Sequence, residues 1–393
     1  MNNFKQIRRV IAPRPADVIT NMAAVVIDKA DRSHPADAVL RHELSRTRGV
    51  SRDQGRIVAK AVFAYFRWQG WIDPEMPIEL AIDRAKELET EFRKHPEHFP
   101  DEDLPKAIPA WLPEFMKITP EWLRGIQRPP SVWLRAKQGL AAEIAPKLPK
   151  AKVAFLPDAI QYDGEIDLFR SKEFQAGQFE IQDLGSQAVG LMCNPRPGES
   201  WWDACAGEGG KTLHLCDLMK GKGQVWATDR ADWRLQKLKQ RTARASVFNY
   251  RVSLWDGGEK LPTDTKFDGI LVDAPCSGIG TWQRNPQARW TTKERDVTEL
   301  SEVQKKLVAN VIPALKPGGR LIYSVCTLTP AETTEVLAFI QKSFPELEPV
   351  ALSNPLNPAA APVEQLWLLP QDNPSNGMFI CAWRRPKEKT KSK

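Results

Sequence analysis

Two cysteines in this sequence stand where a thiol could react. Asp273-Ala-Pro-Cys276-Ser-Gly278 follows one short apolar run, and Tyr323-Ser-Val-Cys326-Thr-Leu328 ends the next. In an open α/β sheet, adjacent central strands deliver their carboxyl ends to one crevice, so two residues 50 apart in the chain can meet there. A single cysteine is most often a small buried hydrophobe. Two of them just past successive strands, one following Asp-x-Pro, point to chemistry instead. Carbon 5 of cytosine is too weak a nucleophile to attack a methyl sulfonium, but a thiolate adding to carbon 6 makes the ring enamine-like. The adduct must then lose the carbon 5 proton and expel the thiolate. Asp273, protonated or hydrogen-bonded toward ring nitrogen 3, would stabilise the addition, and a second cysteine would help resolve the adduct. Only a thiolate reacts, so the setting must lower the thiol pKa.

A glycine-rich turn supplies the second constellation. Asp203-Ala-Cys-Ala-Gly-Glu-Gly-Gly-Lys-Thr212 follows a short strand candidate and opens a helix. A Walker A loop needs glycine five residues before Gly210, where Cys205 stands; the dinucleotide fingerprint needs glycine three after Gly209, where Thr212 stands. What remains is a tight βα turn with Asp229 ending the next strand, an acid suited to two ribose hydroxyls. A nucleoside ligand without a pyrophosphate partner fits, and S-adenosyl-L-methionine is one. Asp256 closes a third strand candidate, Arg251 to Trp255, and is either the adenine-side acceptor or a turn aspartate. Lys211 faces the cofactor carboxylate, the substrate or solvent.

These turns need a sheet to position them. From Gln178 onward, apolar runs at Gln224–Asp229, Phe267–Asp273 and Gly319–Cys326 alternate with helical patterns, as βαβ units with a parallel sheet do. Residues 353–374, rich in proline and asparagine, read as a loop, and Met378–Trp383 as a last strand. The first hundred residues carry apolar positions at three-to-four spacing, which predicts a helical bundle. The spacing therefore predicts four parts: a helical domain over 1–125, a small α/β module over 126–177, a Rossmann-like domain over 178–383 and a basic, disordered tail over 384–393.

Composition narrows the class. Apolar residues make up 42% and charged residues 27%, an ordinary globular balance. The net charge is +7, but six basic side chains against Glu388 in the last ten residues carry +5 of it, leaving a nearly neutral body. The early apolar run Met22–Ile27 is too short for a signal or membrane helix, so a cytoplasmic protein with no membrane partner is expected. Six cysteines without a CxxC pair make neither a disulfide framework nor a zinc site, and no metal is expected.

Taken in order, the motifs resemble the RsmB/Nop/Sun family of RNA cytosine-5 methyltransferases. The resemblance covers Phe179 to Trp383: Ile181-Gln-Asp-Leu-Gly-Ser-Gln187, the glycine loop, Asp-Ala-Pro-Cys-Ser-Gly, Arg284-Asn-Pro-Gln-Ala-Arg-Trp290, Lys316 through Leu328, and Asn376-Gly-Met-Phe-Ile380. It implies a class I methyltransferase domain, Cys326 as nucleophile, and Cys276 promoting product release with Asp273 beside them. It implies cofactor contacts from the loop Ala204, Cys205, Ala206, Gly207, Glu208, Gly209, Gly210 and Lys211, and from Asp229, Arg234, Asp256 and Asp273. RNA is the implied partner, ribosomal RNA before transfer RNA, with a monomeric enzyme acting on it. The family's loop usually reads Ala-Pro-Gly-Gly-Lys; Gly207-Glu208 replaces Ala-Pro here, and Asn376 stands where aspartate is common.

After Cys276, the guanidinium groups of Arg284 and Arg289 and the indoles of Trp282 and Trp290 suit phosphate contact and base stacking; packed inward, the same residues would be structural. The helical domain lies where some family members carry a NusB-like RNA-binding domain. A DNA cytosine-5 methyltransferase would show Pro-Cys-Gln and Glu-Asn-Val, and neither occurs. A cysteine hydrolase needs a histidine base, and His214 is the one histidine near these motifs. A non-catalytic RNA-binding scaffold would have no need of the cysteine pair.

Overall fold

The computed structural model describes residues 18–47 and 49–387; most of the basic tail, 388–393, lies outside them. The chain divides into two compact units, Met1–Pro109 with Pro286–Thr291, and Ala110–Asn285 with Thr292–Lys393. That division does not coincide with the expected boundaries at 125 and 177.

The first unit is helical, with α1 (Val18–Lys29), α2 (Ala36–Arg46), α3 (Arg52–Trp68) and α4 (Ile78–Lys94). Each helix presents an apolar stripe, and Met22, Val26, Leu40, Val62, Phe66 and Ile82 pack from those stripes into one core. Ser51 starts α3 with a reciprocal cap: its hydroxyl accepts from Gln54 N–H at 3.2 Å, and Gln54 Oε1 accepts from Ser51 N–H at 2.8 Å. The far end of α3 leaves carbonyls without helical partners. Segment 286–291 supplies donors to them. Arg289 Nη1 donates to Arg67 O at 3.4 Å, and Trp290 Nε1 to Phe66 O at 2.7 Å.

The second unit begins with α5 (Pro120–Gln127) and an antiparallel sheet ordered β2 (Ala151–Val153), β3 (Ala159–Tyr162), β1 (Val132–Ala136), β4 (Phe179–Ile181). Short helices α6 (Ala141–Ile144) and α7 (Lys172–Gln175) fall between its strands in sequence. β4 pairs with β1, so this sheet takes its last strand from beyond residue 177.

The larger sheet carries β5 (Ser200–Asp203), β6 (Gln224–Asp229), β7 (Tyr250–Leu254), β8 (Phe267–Asp273), β9 (Leu315–Val325), β10 (Glu348–Pro349), β11 (Gln365–Leu368) and β12 (Met378–Arg384). Helix α8 (Leu184–Cys193) precedes it; α9 (Gly210–Leu218), α10 (Asp232–Arg244), α12 (Glu294–Val311) and α13 (Thr334–Ser343) fall among its strands. The short α11 (Ala288–Thr291) belongs to the segment grouped with the first unit. The order is β10-β12-β9-β8-β5-β6-β7, with β11 on β12. β7, β6, β5, β8 and β9 are parallel, and β12 runs antiparallel beside β9. This is the Rossmann-like fold.

Two expectations need correction. Residues 365–368, taken as loop, form β11; Leu366 and Leu368 alternate inward, a signal too short to stand out between prolines. The start of the tail is ordered: Arg384 ends β12, and Arg385 N–H donates to Gly319 O at 3.0 Å.

Tryptophan side chains on the central strand fix the two layers. Trp201 and Trp202 are successive, so they point to opposite faces. Trp201 packs with Leu271 and Ile322, and Trp202 with Ile270 and Tyr323. Both are fully buried, and truncating such a side chain costs about 3–5 kcal/mol. Gly269 on β8 makes the room, since a Cβ there would stand 2.3 Å from the Trp201 indole.

Candidate active site

From β5 the chain steps outward through β6 and β7, then returns to place β8 on the other side of β5. Where strand order reverses, the connections leave in opposite directions and a crevice opens at the carboxyl ends. A cavity of about 530 Å³ lies there. Its wall takes residues from the ends of all five parallel strands: the loop from Asp203, then Asp229, Asp256, Asp273 with Cys276, and Cys326. Every cofactor contact implied by the motifs lines it except Gly209. Gly209 shapes the loop instead: it starts α9 at φ 85°, and a Cβ there would meet Leu238 at 2.5 Å.

Asp229 holds the loop in place. Its Oδ2 accepts from Gly207 N–H at 3.0 Å and its Oδ1 from Ala231 N–H at 2.9 Å, while Arg234 Nη1 stands 3.9 Å away. A carboxylate oxygen accepts more than one hydrogen bond, so acceptor capacity remains toward the cavity. Asp256 lines the cavity, and its Oδ1 accepts from Gly258 N–H at 2.9 Å as a turn aspartate does. Burial pushes the Asp203 carboxyl up to about 7. Its Oδ2 accepts from Thr212 Oγ1 at 2.7 Å, and its Oδ1 is buried without a partner.

Lys211 and Asp273 meet in this cavity. Lys211 Nζ donates to Asp273 Oδ2 at 2.6 Å, and Ser324 Oγ donates to Asp273 Oδ1 at 2.7 Å. Burial alone would lower the Lys211 pKa, but the charge and hydrogen bond of Asp273 together with the nearby Cys326 and Asp203 outweigh it, and the net shift is upward. The two sulfurs, Cys276 Sγ and Cys326 Sγ, stand 3.3 Å apart. The contact with Cys326, and then burial, push the Cys276 thiol well above the ordinary cysteine value.

Residues 190–384 match a family model described as 16S rRNA methyltransferase RsmB/F. The matched domain belongs to the RsmB/Nop/Sun family. The chain is 35% identical over 236 residues to a probable ribosomal RNA small subunit methyltransferase B of Synechocystis, covering 58% of this chain and 53% of that one. It is 37% identical over 213 residues to the mouse tRNA (cytosine(72)-C(5))-methyltransferase NSUN6, covering 50% and 44%. The chain spans about half the length of these curated relatives. A crystal structure titled PH0851 shares the fold at TM-score 0.76 and 23% identity, over 93% of this chain and 97% of that one.

Several motifs shared with the RsmB/Nop/Sun family hold the site together. Asp183 caps α8 through Gly185 N–H, and also accepts from Asn376 N–H at 3.1 Å and Arg284 Nη2 at 3.3 Å. Gly280 lies so close to Gly377 that a Cβ would stand 2.2 Å from the Gly377 carbonyl, and Gly280 N–H donates to Cys326 O at 3.0 Å. The turn after β9 is thereby tied to the loop after Cys276. Glu208, the departure from the family's usual proline, pairs its carboxylate with Lys237 at 2.8 Å and so braces the loop against α10.

The basic, aromatic segment after Cys276 is a correction. Arg289 is fully buried, donating also to Ala107 O at 3.3 Å, and Trp282 is fully buried. Arg284 donates to Ser131 O at 2.9 Å as well as to Asp183. Arg284 and Arg289 thus satisfy internal carbonyls and a carboxylate. His214 is buried with its pKa pushed well below the ordinary value by that burial, and it is not part of the cavity wall. The wall also includes Ser186 from the Ile181–Gln187 motif, and Arg230, Val303 and Leu307, which the sequence motifs did not single out. Val303 and Leu307 sit on α12 at i, i+4, a spacing that marks a face without saying what it meets. Among the described residues, the ligand atoms of His95, Glu97 and His98 also lie within 4.8 Å of one another, on an exposed surface of the first unit.

Proposed function

We propose that the chain methylates carbon 5 of cytosine in RNA, with S-adenosyl-L-methionine as methyl donor and Cys326 as the covalent nucleophile. The observation that carries this is the pair of thiols, 3.3 Å apart, in one cavity with a glycine loop and a strand-end aspartate. Ribosomal RNA is the favoured substrate, because the matching family description names it. Transfer RNA is the second reading, from the likeness to NSUN6.

The residues present fit the cofactor. Asp229 keeps acceptor capacity for a ribose, the loop and Lys211 offer donors for a carboxylate, and Asp203 Oδ1 is a buried acceptor still lacking a donor. Trp255 and Leu307 give an apolar wall for a base, with Asp256 at its edge. When bound, the cofactor supplies an electrophilic methyl group.

The chain's own residues do the rest. Cys276 is held as the thiol, and the sulfur of Cys326, as thiolate, adds to carbon 6 and shifts the 5,6 double-bond electrons toward carbon 5. Asp273 and Lys211 form a charged pair in the same cavity and would meet the ring's polar edge there. Once carbon 5 carries the methyl group, its proton must go to a base and the carbon–sulfur bond must break. Cys276, whose sulfur stands 3.3 Å from that of Cys326, is the group beside the adduct for this step: after its own thiol proton passes to water it takes the carbon 5 proton, and the carbon–sulfur electrons return to Cys326 as thiolate. Two reactive thiols suit a reducing, cytoplasmic compartment.

The test is transfer of labelled methyl from S-adenosylmethionine to unmethylated ribosomal RNA, followed by nucleoside analysis. Label in 5-methylcytosine supports the proposal. Label in transfer RNA alone moves it to the second substrate. No label in either RNA, from a chain that binds the cofactor, overturns it.

A further inference from the structure

Glu332 does not line the cavity, yet it joins the turns that carry both cysteines. It is completely buried, as is Gln304 on α12. Its Oε1 accepts from Ser277 N–H at 2.8 Å and from Gln304 Nε2 at 3.1 Å. Its Oε2 accepts from Thr327 Oγ1 at 3.0 Å and Thr329 Oγ1 at 2.9 Å, with Ser277 Oγ also in hydrogen-bond contact. Gln304 Nε2 donates further to Pro275 O at 2.9 Å, and Tyr323 OH lies 3.0 Å from Gln304 Oε1. Cys276 is therefore held on both sides, at Pro275 and Ser277, and Cys326 through its neighbour Thr327, with Tyr323 fixed three residues earlier on β9.

Stability alone does not call for a carboxylate here. Burying a charge is costly, and packed apolar groups hold two loops equally well. What a carboxylate adds is direction: it only accepts, and every neighbour named above has a hydrogen to give. We propose that Glu332 is a positioning residue that sets the separation and alignment of Cys276 and Cys326. Its consequence for turnover rests on the roles given to the two cysteines above. By fixing both turns to one rigid group, Glu332 keeps the Cys276 sulfur near the Cys326 adduct for the release step.

Diamide converts two adjacent thiols into a disulfide, itself taking up their two electrons and two protons, so the pairing rate reports sulfur alignment without RNA or cofactor. The full chain, Glu332→Gln and Ser277→Ala are treated with diamide and the Cys276–Cys326 bond is followed by peptide mass spectrometry. The expected result is roughly tenfold slower pairing in Glu332→Gln and about threefold in Ser277→Ala, with S-adenosylmethionine affinity unchanged and RNA methylation lowered in step. Ser277→Ala removes a single hydroxyl, so it carries the test should Glu332→Gln not fold. Unchanged pairing in a folded variant overturns the proposal. Slowed pairing in the variants, beside a parent that methylates no RNA, supports the positioning role and refutes the function assigned to the site.

Discussion

Lys211 Nζ donates to Asp273 Oδ2 at 2.6 Å, joining the first turn of α9 to the end of β8 across the point where strand order reverses. The pair is largely shielded, with Lys211 12% and Asp273 28% exposed at the side chain. Lys211→Met removes the counter-charge and keeps the length of the stem. A charge-assisted bond of this kind is worth about 1.5–3 kcal/mol. Methyl transfer in a single turnover should fall about 10- to 150-fold while the chain stays folded. Unchanged transfer would separate this pair from the chemistry.

Asp229 does two jobs, and one substitution tests them together. Its carboxylate orders the loop through Gly207 N–H and Ala231 N–H, and its remaining acceptor capacity faces the cavity. Asp229→Ala should weaken S-adenosylmethionine binding by about 10- to 100-fold, from the loss of one or two such bonds. Isothermal titration calorimetry without RNA measures this directly.

Asp203 makes stability depend on pH. Its carboxyl is raised by burial from 3.8 to about 7 in the folded chain. Between those values the folded chain retains a proton that the unfolded chain has released, so stability falls as pH rises. Its contribution is full below the unfolded value and lost by the time pH passes the folded one. At about 1.4 kcal/mol per unit, the loss is at most about 4 kcal/mol. Urea unfolding of the parent should show this decline between pH 4 and 7, and Asp203→Asn should flatten it.

Arg289 belongs to the folding of the first unit. It bonds the carbonyls of Arg67 and Ala107 and is fully buried. Arg289→Ala leaves those acceptors short of donors, at roughly 1–3 kcal/mol each. Thermal unfolding should shift down by several degrees, while S-adenosylmethionine affinity stays as in the parent. A stable variant with selectively weakened RNA binding would return Arg289 to the RNA surface.

The chemistry was legible in the sequence wherever strand ends carried it. Gln224–Asp229 and Phe267–Asp273 match β6 and β8 residue for residue, because their apolar runs stop at an aspartate. Glycines mark the loop before α9, because no other residue takes Gly209's φ beside Leu238. What sequence could not show was the partner of each polar side chain. Arg284, Arg289 and Trp290 have the composition of a nucleic-acid contact, and nothing local says that their donors go to Ser131, Arg67 and Phe66. The apolar face of α12 was equally silent, since Val303 and Leu307 would look the same against a core. Glu332 stands six residues past Cys326 without any motif of its own, and its role emerges from five donors converging from three segments.

The roles of the two cysteines are tested most directly by the product that Cys276→Ala forms with RNA. With S-adenosylmethionine and substrate RNA, this variant should accumulate a denaturant-resistant protein–RNA complex, and mass spectrometry should place the cross-link between Cys326 and a cytosine. Cys326→Ala should form no complex and transfer no methyl group. A cross-link formed by Cys326→Ala through Cys276 would contradict the assignment, and so would full methylation by Cys326→Ala.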